Sequence, residues 1–221
     1  MKWNFKQELA RKFIHFLSVF ILFIYFLASD IFNKHIALLF LVLILIIAIE
    51  FEYFRIEIGS KIPLVSHVWK YLRRKKEKAT FGGDVFFLIG AILVLAIFDI
   101  RVAMAAILMT TFGDLAAALV GTKYGKHQVF GLKNRSWEGT LTELAVDLLI
   151  GIGVFFRGAI YDISLIYSWQ LWLLVGIMAI TATFVETIIY KLDDNLMIQI
   201  FAGFNGQIAL VILKYNNLFP N

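Results

Sequence analysis

This 221-residue sequence predicts an all-α polytopic membrane protein of about seven transmembrane helices, with the N-terminus inside and the C-terminus outside. Composition is the first reason. Hydrophobic residues make up 61% of the chain and charged residues 17%, whereas an ordinary globular domain is about 45–50% apolar and about 25% charged. The second reason is that long apolar runs alternate with short polar breaks, and the third is that the basic residues gather in alternate breaks.

The apolar runs place helices near residues 13–29, 36–54, 81–98, 102–120, 139–156, 170–190 and 196–213, the third and fifth being the shortest or least pure. A span needs about 20 apolar residues to cross about 30 Å of hydrocarbon, so seven use roughly 140 residues and leave only short connections. The chain therefore reads as a single domain, 1–221, with no internal repeat or low-complexity tract. Lys and Arg favour the cytoplasmic side of a bilayer. With the N-terminus inside, all of the 21 basic residues except Lys34, Arg101, Arg157 and Lys214 fall on that side. Residues 1–29 also have the basic start, apolar run and small pair Ala28-Ser29 of a signal peptide. That reading would discard the polar cluster opening the first helix, so the segment is expected to be kept as span one.

The stretch from Trp69 to Lys78, WKYLRRKKEK, reads as an amphipathic or surface helix at the headgroup level. Juxtamembrane basic residues there attract anionic lipid at about 1 kcal/mol each, so the pI of about 9.3 calls for no nucleic-acid partner. Without cysteine there are no disulfides, thiolate nucleophiles or Cys-held metals. Chemistry falls to carboxylates, Lys, Arg, His, hydroxyls and backbone.

Ionisable side chains at mid-bilayer cost at least about 2.5–3.5 kcal/mol on insertion scales, which makes each a candidate for function. Glu50, Glu52, Asp84, Asp114, Glu143, Asp147 and Glu186 all fall in the inner halves of their spans. A transporter or channel would carry polar residues through the full depth or break its helices at the midplane. Glu8, Arg11, Lys12 and His15, spaced i, i+3, i+4 and i+7, share one helix face. Glu143 and Asp147 share another with Thr140, either as ligands of a cation or as neutral groups in the bundle. Asp193-Asp194-Asn195 suits a divalent cation or the capping of the last span.

The most informative stretch is Thr111-Phe-Gly-Asp114 through Gly121-Thr-Lys123-Tyr-Gly125-Lys126 to Lys133-Asn-Arg135-Ser136-Trp-Glu138-Gly139-Thr140. It is a carboxylate in a small-residue helix, then a glycine-punctuated basic loop, then a hydroxyl and a carboxylate opening the next helix. Glycines admit backbone N–H groups to phosphate oxygens, Lys and Arg supply charge, and a helix N-terminus offers donors to an anion. A nearby carboxylate can hold the Mg²⁺ that accompanies a polyphosphate. The alternative is a cytoplasmic loop whose glycines are turns.

The pattern D-x-x-A-x-x-x-G-x-x-x-G, eight residues, then a basic pair, S/T-x-E-G, resembles the CTP-dependent polyprenol kinase family, which includes dolichol kinase, phytol kinase and yeast-type CTP-dependent diacylglycerol kinase. Asp114, Ala117, Gly121, Gly125, Ser136, Glu138 and Gly139 match it; Asn134 and Arg135 stand where two lysines are expected. Glu8-x-x-Arg11-Lys12-x-x-His15, Glu52-x-x-Arg55, Thr80 to Gly90, and Glu186 followed by Asp193-Asp194-Asn195 resemble further elements of the family, so the likeness runs over residues 8–200.

The resemblance implies transfer of the terminal phosphate of CTP to a membrane lipid alcohol at the cytoplasmic face, with Mg²⁺ or Mn²⁺. Asp114, Glu138, Asp193 and Asp194 would then hold the metal. Arg11, Lys12, Gly121, Lys123, Gly125, Lys126, Lys133, Arg135, Ser136 and Gly139 would bind the nucleotide, and Asp84, His15 or Glu186 would accept the hydroxyl proton. A cytidylyltransferase would use a similar site but release pyrophosphate. An oligomer is compatible with this architecture.

Overall fold

A computed structural model of the chain describes residues 19–57, 80–129, 132, 135–156, 168–188 and 192–215. Glu8, Arg11, Lys12, His15, the 69–78 stretch, Lys133 and Asn134 lie outside the described residues. The described chain is helical apart from one isolated antiparallel bridge, Gln128 with Ser136. In order come α1 (Val19–Ile31), α2 (Lys34–Glu57), α3 (Gly83–Ile97), α4 (Ile100–Leu108), a π-helical turn (Met109–Gly113), α5 (Asp114–Tyr124), α6 (Trp137–Phe155), α7 (Trp169–Ile188) and α8 (Asp194–Tyr215).

Four stretches, Lys34–Glu57, Ile100–Tyr124, Trp169–Ile188 and Asp194–Tyr215, are long and apolar enough to cross a membrane; Val19–Ile31 and Gly83–Ile97 are shorter apolar helices. The chain is an integral membrane protein by these elements. Large apolar side chains lie on their outer surfaces, among them Phe51, Ile180 and Phe184. In water such surface would aggregate, but in lipid it is ordinary, since the helices satisfy their own backbone groups.

Polar residues mark the breaks. Asn33 Oδ1 accepts from Ile36 N–H (3.0 Å) and so starts α2. Asp99 Oδ1 accepts from Arg101 N–H (3.0 Å) and starts α4. Ser136 Oγ accepts from Gly139 N–H (3.2 Å) at the head of α6, and Asp193 Oδ1 accepts from Asn195 N–H (3.1 Å) at the head of α8.

The chain divides into two compact units, 1–92 and 93–221, the division falling within α3. In the first, Leu22, Tyr25, Ala37 and Leu41 are buried between α1 and α2. A buried clamp closes the far end of α2. Arg55 donates to Glu52 from Nε (3.0 Å) and Nη2 (2.8 Å) and from Nη2 to Thr80 O (2.8 Å), while Glu52 Oε2 accepts from Gly82 N–H (2.9 Å).

In the second unit the core runs between α4, α6, α7 and α8 through Val102, Ala105, Met109, Val154, Leu174, Met178, Ile198 and Leu210. Small residues let these helices approach closely. A β-carbon on Gly206 would lie 2.6 Å from Met178 Sδ, and one on Gly151 would lie 2.6 Å from Val175 Cγ1.

Candidate active site

The polar groups of the second unit collect where α5 ends, α6 begins, α7 ends and α8 begins. Gly121 on α5 and Gly125, which caps its C-terminus, face Ser136 and Gly139 at the head of α6. A β-carbon on Gly125 would come 2.3 Å from Gly121 O and 2.7 Å from Ser136 Oγ; one on Gly139 would come 2.9 Å from Ala117 O. The need for glycine at these positions therefore arises inside the protein, from α5 packing on α6 around one serine hydroxyl.

The intervening loop folds back on itself. Val129 N–H donates to Arg135 O (3.1 Å), Trp137 N–H to His127 O (2.9 Å) and Leu132 N–H to Val129 O (2.8 Å). Val129 is fully buried and anchors the turn. This pairing also brings His127 to Glu138. His127 Nδ1 lies 2.8 Å from Glu138 Oε1, and the His127 N–H donates to the same carboxylate at 3.3 Å. Bonds from the Glu138 backbone N–H, then from the His127 side chain, then from the backbone of Lys126 and His127, lower its pKa to about 2. Glu138 precedes the span expected at 139–156 and serves here as a tie across the loop.

Arg135, held by the same pairing, reaches over the bundle to Glu186 of α7 through Nη1 and to Asp194 of α8 through Nη2 (3.8 Å). Burial alone would lower its pKa, but the carboxylates of Glu186, Asp114 and Asp194 outweigh it and raise the value. Deeper in the bundle, Glu143 and Asp147 of α6 and Glu186 of α7 are all buried. Thr183 Oγ1 lies 3.4 Å from Asp147 Oδ2, and Thr140 and Thr187 meet at 3.5 Å. The π-turn shapes this end of the site: a β-carbon on Gly113 would fall 2.3 Å from Asp147 Oδ1. π-turns interrupt helices mostly at functional positions, and here Asp114 follows directly.

The structure thus brings together Asp114, Arg135, Glu186 and Asp194 of the residues singled out in the sequence, with Gly121, Gly125, Ser136 and Gly139 beside one another. Lys123 is exposed, its ammonium 5.0 Å from the centre of the Tyr124 ring. Lys126 lines a groove of about 920 Å³ with His127, Gln128, Trp137, Glu138 and Leu141. Asp84 opens α3 in the other unit. Glu143, Asp147 and His127 join the picture from structure. The two acids were legible as intramembrane charges, whereas nothing in the spacing marks His127, whose partner is eleven residues on.

Among the described residues no three Asp, Glu or His side chains form a metal cage. Mg²⁺ is usually held by one or two carboxylates and completed by phosphate oxygens and water. Asp194, 3.8 Å from Arg135 Nη2, and Asp114, whose charge acts on the same guanidinium, fit that donor chemistry. Of the other two acids expected at the metal, Glu138 meets His127 and Asp193 accepts from Asn195 N–H and Nδ2.

Comparison with known proteins points the same way. The chain is similar to CTP-dependent diacylglycerol kinase 1 of Schizosaccharomyces pombe, 28% identical over 138 residues, which cover 60% of this chain and 62% of that protein. It is 30% identical over 78 residues to CTP-dependent diacylglycerol kinase 1 of Saccharomyces cerevisiae, 35% of this chain and 27% of the relative. With the phytol kinase of a Synechocystis species it shares 46% over 52 residues, 23% of this chain and 22% of the relative. The matches span less than two thirds of the relatives' own lengths. No family model matches, and no solved structure matches. Each of these relatives is named as a kinase, of diacylglycerol with CTP or of phytol, and each is similar to this chain over part of its length.

Proposed function

We propose that this protein transfers the terminal phosphate of CTP to a membrane lipid alcohol of polyprenol, phytol or diacylglycerol type, at the cytoplasmic face of a seven-span, N-in bundle. The observation that carries the reading is Arg135, a guanidinium set among Asp114, Glu186 and Asp194 at one end of the helices, in a chain similar to CTP-dependent lipid kinases. Phosphoryl transfer needs little covalent help from a protein and much positioning and charge neutralisation. Arg135 suits phosphate oxygens through its planar fork, and Lys123, Lys126, Lys133, Arg11 and Lys12 add positive charge from the loop and the N-terminal segment. Asp114 and Asp194 would hold the divalent cation, which when bound neutralises charge on the phosphates. Glu186, which pairs with Arg135 through Nη1, accepts the proton of the lipid hydroxyl. The lipid tail reaches the site sideways between helices, and the nucleotide arrives from water.

The test is purified protein with CTP labelled in its terminal phosphate and a panel of polyprenols, phytol and diacylglycerol. Label in the lipid together with CDP is the expected result; pyrophosphate release would replace this reading with a cytidylyltransferase. Asp114→Asn should abolish transfer while the protein remains inserted and monodisperse, and full activity in that variant would remove the assignment.

A further inference from the structure

α8 carries a polar side chain at a depth where polarity is costly. Asn205 is the twelfth of the 22 residues from Asp194 to Tyr215. At about 1.5 Å per residue it stands about 17 Å along a helix that crosses about 30 Å of hydrocarbon. It is half-buried. Its Nδ2 donates to Thr181 Oγ1 of α7 (3.2 Å), and the Thr181 hydroxyl in turn donates to Ile177 O (2.7 Å). A primary amide has two N–H donors and one carbonyl acceptor. One N–H is used here, and among the described residues the other N–H and Oδ1 have no partner. Neither lipid tails nor water supply one at that depth.

The residues around the amide form a seam. Phe201, Asn205, Ile208, Ile212 and Tyr215 are spaced 4, 3, 4 and 3, which places them on one stripe of the helix. That stripe is not used inside the chain: all four of its apolar residues are exposed, Phe201 and Ile208 least at 42%. The inward side of α8 is a different one, made of Ile198, Ala202, Gly206, Ala209 and Leu213. Identical helices join along such a 4-3 repeat, and an asparagine at one core position of it fixes register and the number of partners.

We propose that this stripe is where a second copy of the chain docks, α8 against α8 about a two-fold axis normal to the membrane, with the two Asn205 amides bonded to each other. Charge bias inserts every copy in the same direction, so the axis brings Asn205 to its own counterpart at the same depth. Each amide then gives its remaining N–H to the other's carbonyl, which satisfies both. A lipid tail offers neither group, and headgroups lie about 15 Å away at the membrane surface. Phe201, Ile208 and Ile212, on either side of the amide, pack against their counterparts. Such a dimer requires nothing of the reaction the protein performs and goes beyond the kinase reading.

The experiment uses the whole 221-residue chain, which contains no cysteine, so that a single introduced thiol reports on one position. Sedimentation equilibrium in detergent should show wild type as a monomer–dimer system. Asn205→Leu keeps the bulk and removes the amide, and should associate about threefold to twentyfold more weakly, the range for a polar contact between membrane helices. Ile208→Cys, with Asn205 retained, should oxidise to a covalent dimer in proteoliposomes, since a disulfide forms where the two Cα atoms come within about 7 Å. Leu149→Cys, exposed on α6, should stay monomeric under the same oxidant. A wild type that remains monomeric at every concentration overturns the dimer, as does Asn205→Leu associating as tightly as wild type, or cross-linking through Leu149 as ready as through Ile208. Where Asn205→Leu does not fold, the two thiol variants decide: covalent dimer at Ile208 alone supports the contact, and equal yields or none at Ile208 overturn it.

Discussion

Replacing Arg55 by Met tests the buried clamp at the end of α2. The side chains of Glu52 and Arg55 are 7% and 6% exposed, and the substitution removes two bonds to Glu52 and one to Thr80 O. Glu52 keeps its bond from Gly82 N–H but loses the guanidinium that balanced its charge. Breaking one side of a buried ion pair costs about 3–5 kcal/mol. For a chain of 150–250 residues each kcal/mol moves the midpoint by about 2–4 °C, so the variant should melt roughly 6–20 °C below wild type. Tryptophan fluorescence during heating in detergent gives the midpoint directly. Replacing both partners by Met removes the unbalanced charge as well as the bonds, so the double variant should recover at least half of the loss. A single variant within about 2 °C of wild type, or a double variant that falls by the sum of the singles, would refute the reasoning.

Further outcomes follow from the α5–α6 contact and the loop tie. Gly125→Ala drives a methyl to 2.3 Å from Gly121 O, and overpacking of this kind costs about 1–3 kcal/mol; the melting point should drop and CTP-dependent transfer should weaken. Gly153→Ala meets nothing within 4 Å, so in the last turn of α6 it should stabilise by about 0.4–1 kcal/mol, and equal melting points for the two variants would contradict the packing. Glu138, with its pKa lowered to about 2, contributes fully above its ordinary value of 4.5, and the contribution is lost as pH falls toward 2. Carboxyl ¹³C shifts of glutamate-labelled protein should show it ionised at pH 4, and a midpoint near 4.5 would count against the His127 tie.

Local pattern explains which parts of the site the sequence disclosed. Asp114, Gly121, Gly125, Ser136 and Gly139 lie within 26 consecutive positions, and helix and loop spacing alone puts them on neighbouring surfaces. Among the described residues a helix overlies part or all of each expected span, and four stretches there are long and apolar enough to cross a membrane. The Arg135–Glu186 pair joins residues 51 apart, and no spacing rule encodes which carboxylate a loop arginine meets. Glu138 illustrates the same limit. Sequence marks it as a metal ligand, and no spacing rule tells that the bridge between Gln128 and Ser136 turns the loop back and brings His127 against the same carboxylate. The π-turn is invisible in composition, since Met109 to Gly113 has the small and apolar character of the helix around it.

The crowding around Ser136 also shapes how this protein can vary over time. Three glycines border one hydroxyl, yet they are not equally fixed. An added β-carbon at 125 or 139 collides with main-chain oxygen, which no side-chain change removes, whereas at 121 its tightest neighbour is Ser136 Oγ at 3.2 Å. Positions 121 and 136 therefore form an epistatic couple, in which a smaller residue at one licenses a larger residue at the other. Positions 125 and 139 have no such escape and should stay glycine in any descendant that keeps α5 against α6.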